Sequence, residues 1–129
     1  MRGDKDVAAT IAVKDLDAAR KFYGGTLGLK PIDTDSPDEE AILYGSGNSA
    51  VLVYRSQYAG TNQATAASWR VGDDFDAVVE ELRSKGVSFE HYDLPGATRE
   101  GDVHVMGDLR AAWFKDPDGN ILNIANQSM

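Results

Sequence analysis

Apolar positions along the chain recur with a period of two in some stretches and about 3.6 in others, and one succession of these periods occurs twice. Val7–Val13 is a run of β-branched and small residues and predicts a strand. Asp15 stands where a helix N-cap would. Leu16, Ala19, Phe22 and Tyr23 follow at helical spacing, so a helix with one apolar face is predicted from Asp15 to about Gly25. Gly24, Gly25 and Gly28 break it, and Leu29–Asp33 restarts as a strand before a turn at Asp35-Ser36-Pro37-Asp38. Ala41–Tyr44 and Ala50–Tyr54 are two strands joined by the turn Gly45–Ser49, which completes a β-α-β-β-β unit.

The second unit begins with a strand at Ala66–Val71. Asp73 or Asp74 caps a helix whose buried stripe is Phe75, Val78, Val79 and Leu82 and which Gly86 ends. Val87–Tyr92 is a strand, and Arg110–Lys115 pairs with Asn120–Ala125 in a hairpin around Asp116-Pro117-Asp118-Gly119. Each copy closes on a Gly-Asn step, Gly47-Asn48 and Gly119-Asn120. The copies span about 5–55 and 66–126, with a polar linker without periodicity at about 56–65. From Gly28 to Asn48 is 20 residues and from Gly86 to Asn120 is 34, and the excess falls in Asp93–Asp108. Such a stretch is a lid or binding loop, or else a solvated detour. A repeat of this kind predicts a pseudo-twofold fold with a concave site between the copies.

Composition narrows the chemistry. The chain has 129 residues, suited to one domain, and no apolar run approaches the ~20 residues that span a bilayer, so no membrane is expected as a partner. It has no Cys and no apolar N-terminal core, so a cytoplasmic protein without a thiolate metal site or Cys nucleophile is expected. A net charge of −8 argues against nucleic acid and permits a cationic ligand.

Asp15-Leu16-Asp17-Ala18-Ala19-Arg20-Lys21-Phe22-Tyr23, then Leu27-Gly28-Leu29, then Trp113-Phe114-Lys115-Asp116-Pro117-Asp118-Gly119-Asn120 together resemble the vicinal-oxygen-chelate superfamily, which includes glyoxalase I, bleomycin-resistance proteins, extradiol dioxygenases and fosfomycin-resistance enzymes. The resemblance covers nearly the whole chain. It implies an α+β fold of paired βαβββ modules whose mixed sheets curl around a cleft for a small molecule. In members that use a metal, it implies His or Gln on a first strand and Glu on a last strand as ligands. The first-strand position, seven residues before the helix Asp, is Ala8 here and Ala66 in the second copy. The last-strand position, three residues after Gly119-Asn120, is Asn123, and its counterpart in the first copy is Leu52 or Tyr54. An alanine methyl ligates nothing and a neutral amide is a weak ligand, so no metal and no cofactor are expected.

Strand alternation sorts the remaining residues. Thr10 and Ala12 share the cleft face with Ala8, Ser68 and Arg70 share it with Ala66, and Ile121 and Ala125 share it with Asn123. A hairpin loop of Asp116–Gly119 sets Phe114 beside Ile121 and Ala112 beside Asn123. The expected ligand-binding residues are therefore Thr10, Tyr54, Ser68, Arg70, Phe114 and Asn123. Arg70 is alternatively a surface cation beside Asp73 or Asp74, Phe114 alternatively hairpin core, and Asn123 alternatively a backbone hydrogen-bonder. His91 reads as an exposed strand histidine, and His104 is either a solvated loop histidine or a general base under a closed lid. The expected function is metal-free sequestration of a drug-like or metabolite ligand, by a homodimer if the likeness to the bleomycin-resistance branch extends to assembly. The alternative is a glyoxalase-like lyase or isomerase, or a dioxygenase, with a metal held elsewhere or none; the sequence leaves open whether the chain is an enzyme.

Overall fold

The computed structural model describes residues 2–32 and 40–127. Among them are ten strands and two α-helices in mixed sheets, an α+β fold. The predicted turn at Asp35–Asp38 lies outside the described residues. Two compact units divide the chain: residues up to Ala66 together with Asp116–Asn120, and Ala67–Lys115 together with the chain from Ile121 onward.

In the first unit β1 (Ala9–Val13) lies parallel to β4 (Ser49–Arg55), which pairs antiparallel with β3 (Ala41–Ser46), and β3 with β2 (Lys30–Pro31). The alternation read from β1 holds: Ile11 and Val13 are buried, as are Val51, Val53 and Tyr44 on the same face of the sheet. Asp15 caps α1 (Leu16–Ala19) by accepting from the backbone N–H of Asp17 at 2.9 Å and of Ala18 at 3.2 Å. The helix does not stop at the glycine pair. It widens into a π-helix over Arg20–Thr26, with the Leu27 N–H bonding to the Phe22 carbonyl, so Gly24 and Gly25 lie within the wide turns.

The turn Asp116–Asn120 is the polar centre of this unit. The Asp116 carboxylate accepts from the Tyr23 hydroxyl at 2.6 Å, the Asn120 side-chain amide at 2.8 Å, and the backbone N–H groups of Asn120 at 2.8 Å and Asp118 at 3.0 Å. The Asn120 amide also donates to the Ala12 carbonyl at 2.7 Å, which fixes the turn to β1. Nor is the stretch after β4 a loose connection. Ala59 is buried, and Gly60, at φ +73°, lies so close to Asp118 that a Cβ would overlap its carbonyl oxygen.

In the second unit the strand order is β5 (Thr65–Arg70), β10 (Ile121–Ala125), β9 (Leu109–Lys115), β8 (Val103–Met106), β7 (Thr98–Glu100), with β6 (Phe89–Glu90) also on β9. A short 3-10 turn at Gly72–Asp74 leads into α2 (Phe75–Ser84), which buries Phe75, Val79 and Leu82 and leaves Val78 half-buried. Asp74 occupies the N-cap position but makes no side-chain capping bond. Most of the long Asp93–Asp108 segment is not irregular: its extra length folds into the β7–β8 hairpin, and β8 adds to the sheet beside β9. His91, two residues before this segment, bonds through Nε2 to Asp102 at 2.7 Å, and Arg83 of α2 grips the other Asp102 oxygen at 2.9 and 3.0 Å. No helix among the described residues is long and apolar enough to cross a membrane.

Two pH dependences follow from these bonds. Burial first, and the neighbouring Asp116 carboxylate second, push the Tyr23 hydroxyl far above its ordinary value. The folded state thus resists ionisation that the unfolded chain undergoes near pH ~10, so stability is complete below that pH and falls above it. Tyr23→Phe is expected to cost about 1–3 kcal/mol at neutral pH and to flatten this alkaline decline in urea midpoints. Conversely, the His91 hydrogen bond first, and the Arg83 guanidinium after it, hold the Asp102 carboxyl below its usual range. This stabilises the fold above the unfolded value of ~4 and is lost as pH falls below it. Asp102→Asn should lower the urea midpoint at about pH 6 and lose its deficit relative to wild type near pH ~2. Equal midpoints at the higher pH would remove Asp102 from the account of this segment.

Candidate functional site

The turn sets the register of the site strands. The Asp116 N–H donates to the Asn120 carbonyl at 3.0 Å, so the hairpin loop is Pro117–Gly119, with Gly119 at φ +89°. The pairing therefore sits one residue from that predicted. Trp113, not Ala112, lies opposite Asn123, and Phe114 lies opposite Leu122 rather than Ile121. One face of the sheet carries Asn123, Trp113, Ala111, Ala125 and, across β9, His104. Phe114 is on the other face, fully buried with its ring edge-on to Phe89 at 5.9 Å, and is hairpin core.

Asn123 is fully buried and its side chain is engaged in three bonds. Oδ1 accepts from the Ser68 hydroxyl, and Nδ2 donates to the carbonyls of Ala112 at 3.1 Å and Ile124 at 3.3 Å. The polar amide thus answers to β5, β9 and its own strand, as a buried polar group must. This donor set does not fit a divalent metal. Ala8 and Ala66 offer methyls, and the Asn123 oxygen is already bonded to Ser68. Among the described residues no three His, Asp or Glu side chains group to share a metal ion.

The same face carries an aromatic cluster that the sequence reading missed. Tyr92 and His104 stand edge-on to the Trp113 indole, with centroids at 5.6 and 4.9 Å, and lie 6.0 Å from each other. Tyr92 and Leu94 pack over Ala111, Trp113 and Ala125. His104 is not a solvated histidine: it is 1% exposed, and its Nε2 accepts the Tyr92 backbone N–H at 2.9 Å. A nitrogen that accepts carries no proton, so the ring is neutral with its proton on Nδ1. That arrangement leaves no lone pair for general-base work. Neither His104 Nδ1 nor the Tyr92 hydroxyl, both buried, has a hydrogen-bond partner among the described residues. The one signal that could have found Trp113 is the Asp116/Asn120 spacing, which allows a three-residue loop as readily as a four-residue one.

The other expected residues lie on β1, β4 and β5. Arg70 is exposed on β5, two residues from Ser68. Thr10 and Tyr54 are on the face of the first sheet away from Ile11 and Val53, Thr10 opposite Leu52 and Tyr54 opposite Ala12, both exposed. Ala8 adjoins a recess of ≈ 580 Å³ in the first unit, shared with Val7, Ile32 and Asn48.

Known structures share this architecture. A fosfomycin resistance protein, FosX, from Listeria monocytogenes superposes with a TM-score of 0.71 at 14% identity, over 98% of this chain and 95% of that one. An integron cassette protein from the mobile metagenome of Halifax Harbour Sewage Outfall gives 0.69 at 20% identity, over 96% and 99%. TnmS3, an antibiotic binding protein from Streptomyces sp. CB03234, gives 0.67 at 22% identity, over 99% of each chain. At these identities the likeness is one of fold. The sequence itself matches the model of one family across residues 7–124, and with its duplicated modules and Asp-Pro-Asp-Gly-Asn turn the chain belongs to the Glyoxalase/Bleomycin resistance protein/Dioxygenase superfamily.

Proposed function

We propose that this protein binds and sequesters an organic small molecule without a catalytic metal, as a homodimer in the cytoplasm. The observation that carries the proposal is the composition of one face of the second sheet. Trp113, Tyr92 and His104 form an aromatic wall there beside Asn123, whose amide is spent on Ser68 and backbone. Apolar and aromatic walls with a few placed polar groups suit binding. Alanines and a committed amide at the metal-ligand positions give Lewis-acid chemistry no foothold there. The antibiotic binding protein that shares the fold offers an analogy for such a role. Dimerisation rests on the resemblance to the bleomycin-resistance branch, and the cytoplasmic location on the lack of cysteine.

The test is elemental analysis of untagged protein purified without chelators, before and after incubation with zinc, nickel, manganese and ferrous iron. Less than about a tenth of an equivalent of any metal is the expected result, since the apparent affinity of a metal site depends on its charged or imidazole ligands. One equivalent of a transition metal would overturn the proposal and favour a glyoxalase-like or dioxygenase reaction.

A further inference from the structure

The two unpartnered polar atoms of the aromatic cluster specify the polarity of the ligand. His104 is held by a hydrogen bond on one side of its ring. Its Nε2 takes the Tyr92 backbone N–H, and its Nδ1 therefore bears a proton that has no acceptor, in a side chain 1% exposed. The Tyr92 hydroxyl, on the neighbouring ring, is likewise buried without a partner among the described residues. A buried donor left unbonded costs about 1–3 kcal/mol, and a fold tolerates the cost where something else supplies the acceptor. Carboxylates are poor candidates for that acceptor, because the protein carries a net charge of −8. An uncharged carbonyl oxygen satisfies an imidazole N–H without bringing an anion into a dry site. The Trp113 indole, which both rings meet edge-on, supplies a surface for a flat ring attached to that carbonyl.

The element over this place is small. Leu94 packs on the Ala111, Trp113 and Ala125 group from the turn closed by the Ala97 N–H on the Leu94 carbonyl, with Gly96 at φ +80°. Tyr92 is anchored by its backbone to His104, and the Leu94 side chain packs on the group together with Leu109 and Ile121. A ligand ring in the place of the Leu94 side chain meets the Trp113 group that the two donor-bearing rings also contact.

We propose that Tyr92 Oη–H and His104 Nδ1–H form a donor subsite for an uncharged aromatic ketone or amide, whose ring replaces Leu94 against Trp113. This rests on the proposed binding role of the same face and adds the chemical class of the ligand. The subsite selects by hydrogen bonding, so a ligand of the same shape without the oxygen leaves the donors unpaired and binds more weakly.

The experiment uses the full-length protein, isotopically labelled, and two probes of matched planar shape. Acetophenone carries the carbonyl oxygen, and α-methylstyrene carries a methylene in its place. NMR titration is expected to show acetophenone binding about tenfold more tightly and moving the His104 Nδ1–H and Trp113 indole resonances. Tyr92→Phe removes a hydroxyl that is unpaired in the free protein, so its thermal midpoint should equal or exceed wild type while the preference for acetophenone falls about threefold or more. Equal binding of both probes at Trp113 would overturn the donor subsite and leave the binding role standing. No movement of the Trp113 and His104 resonances with either probe would overturn the subsite as well, and the metal analysis and a ligand screen would then judge the binding role separately.

Discussion

The carboxylate of Asp116 ties the π-helix to the turn that closes the site hairpin. Four donors converge on its two oxygens, one from the π-helix, one from the Asn120 side chain and two from the turn backbone. Asn120 passes the connection on to β1. A charged group buried to this degree is costly unless its lone pairs are filled, and here they are. The turn so fixed belongs to the first unit, although the strands that enter and leave it belong to the second. Its loop length in turn decides which side chains of β9 share a face with Asn123. The placement of Trp113 is thus a consequence of how one aspartate satisfies its hydrogen bonds.

The two faces of the second sheet then divide the work. Leu122, Ile124, Ala112 and Phe114 bury against their own side, with Phe89 closing on Phe114. The face of Asn123 is different in kind, because it mixes rings, small side chains and polar atoms, two of which have no partner among the described residues. A core built only for stability would not keep an unbonded imidazole N–H beside an unbonded hydroxyl. Local departures from full satisfaction are where binding is expected to leave its mark.

Much of this was legible in the sequence. The strand alternation of β1 and β4, the Asp15 cap and the Phe75, Val79, Leu82 stripe follow from periodicity and capping chemistry alone, and they appear as read. The duplicated pattern led to the fold, and the family match supports it. What was missed turned on interactions between residues distant in sequence. Gly24 and Gly25 end most helices, but here a π-helix carries through them. The β7–β8 hairpin was hidden because its strands are short, and β7 is exposed and polar, so alternation gives little signal. His104 read as solvated because nothing local shows that Tyr92 and Trp113 would enclose it. Phe114 was placed on the wrong face by a one-residue error in loop length, which in a strand exchanges every side chain between faces.

A ligand bound on the aromatic face of the second sheet meets Trp113. The chain has two tryptophans, so in a Trp69→Phe variant all indole emission comes from Trp113. The decisive measurement is the emission of that variant during titration with small molecules that raise its thermal midpoint. Saturable change in Trp113 emission, with the same dissociation constant as the thermal stabilisation, is the predicted result. Ligands that stabilise the protein while the Trp113 emission stays constant would place the binding site elsewhere and contradict the account.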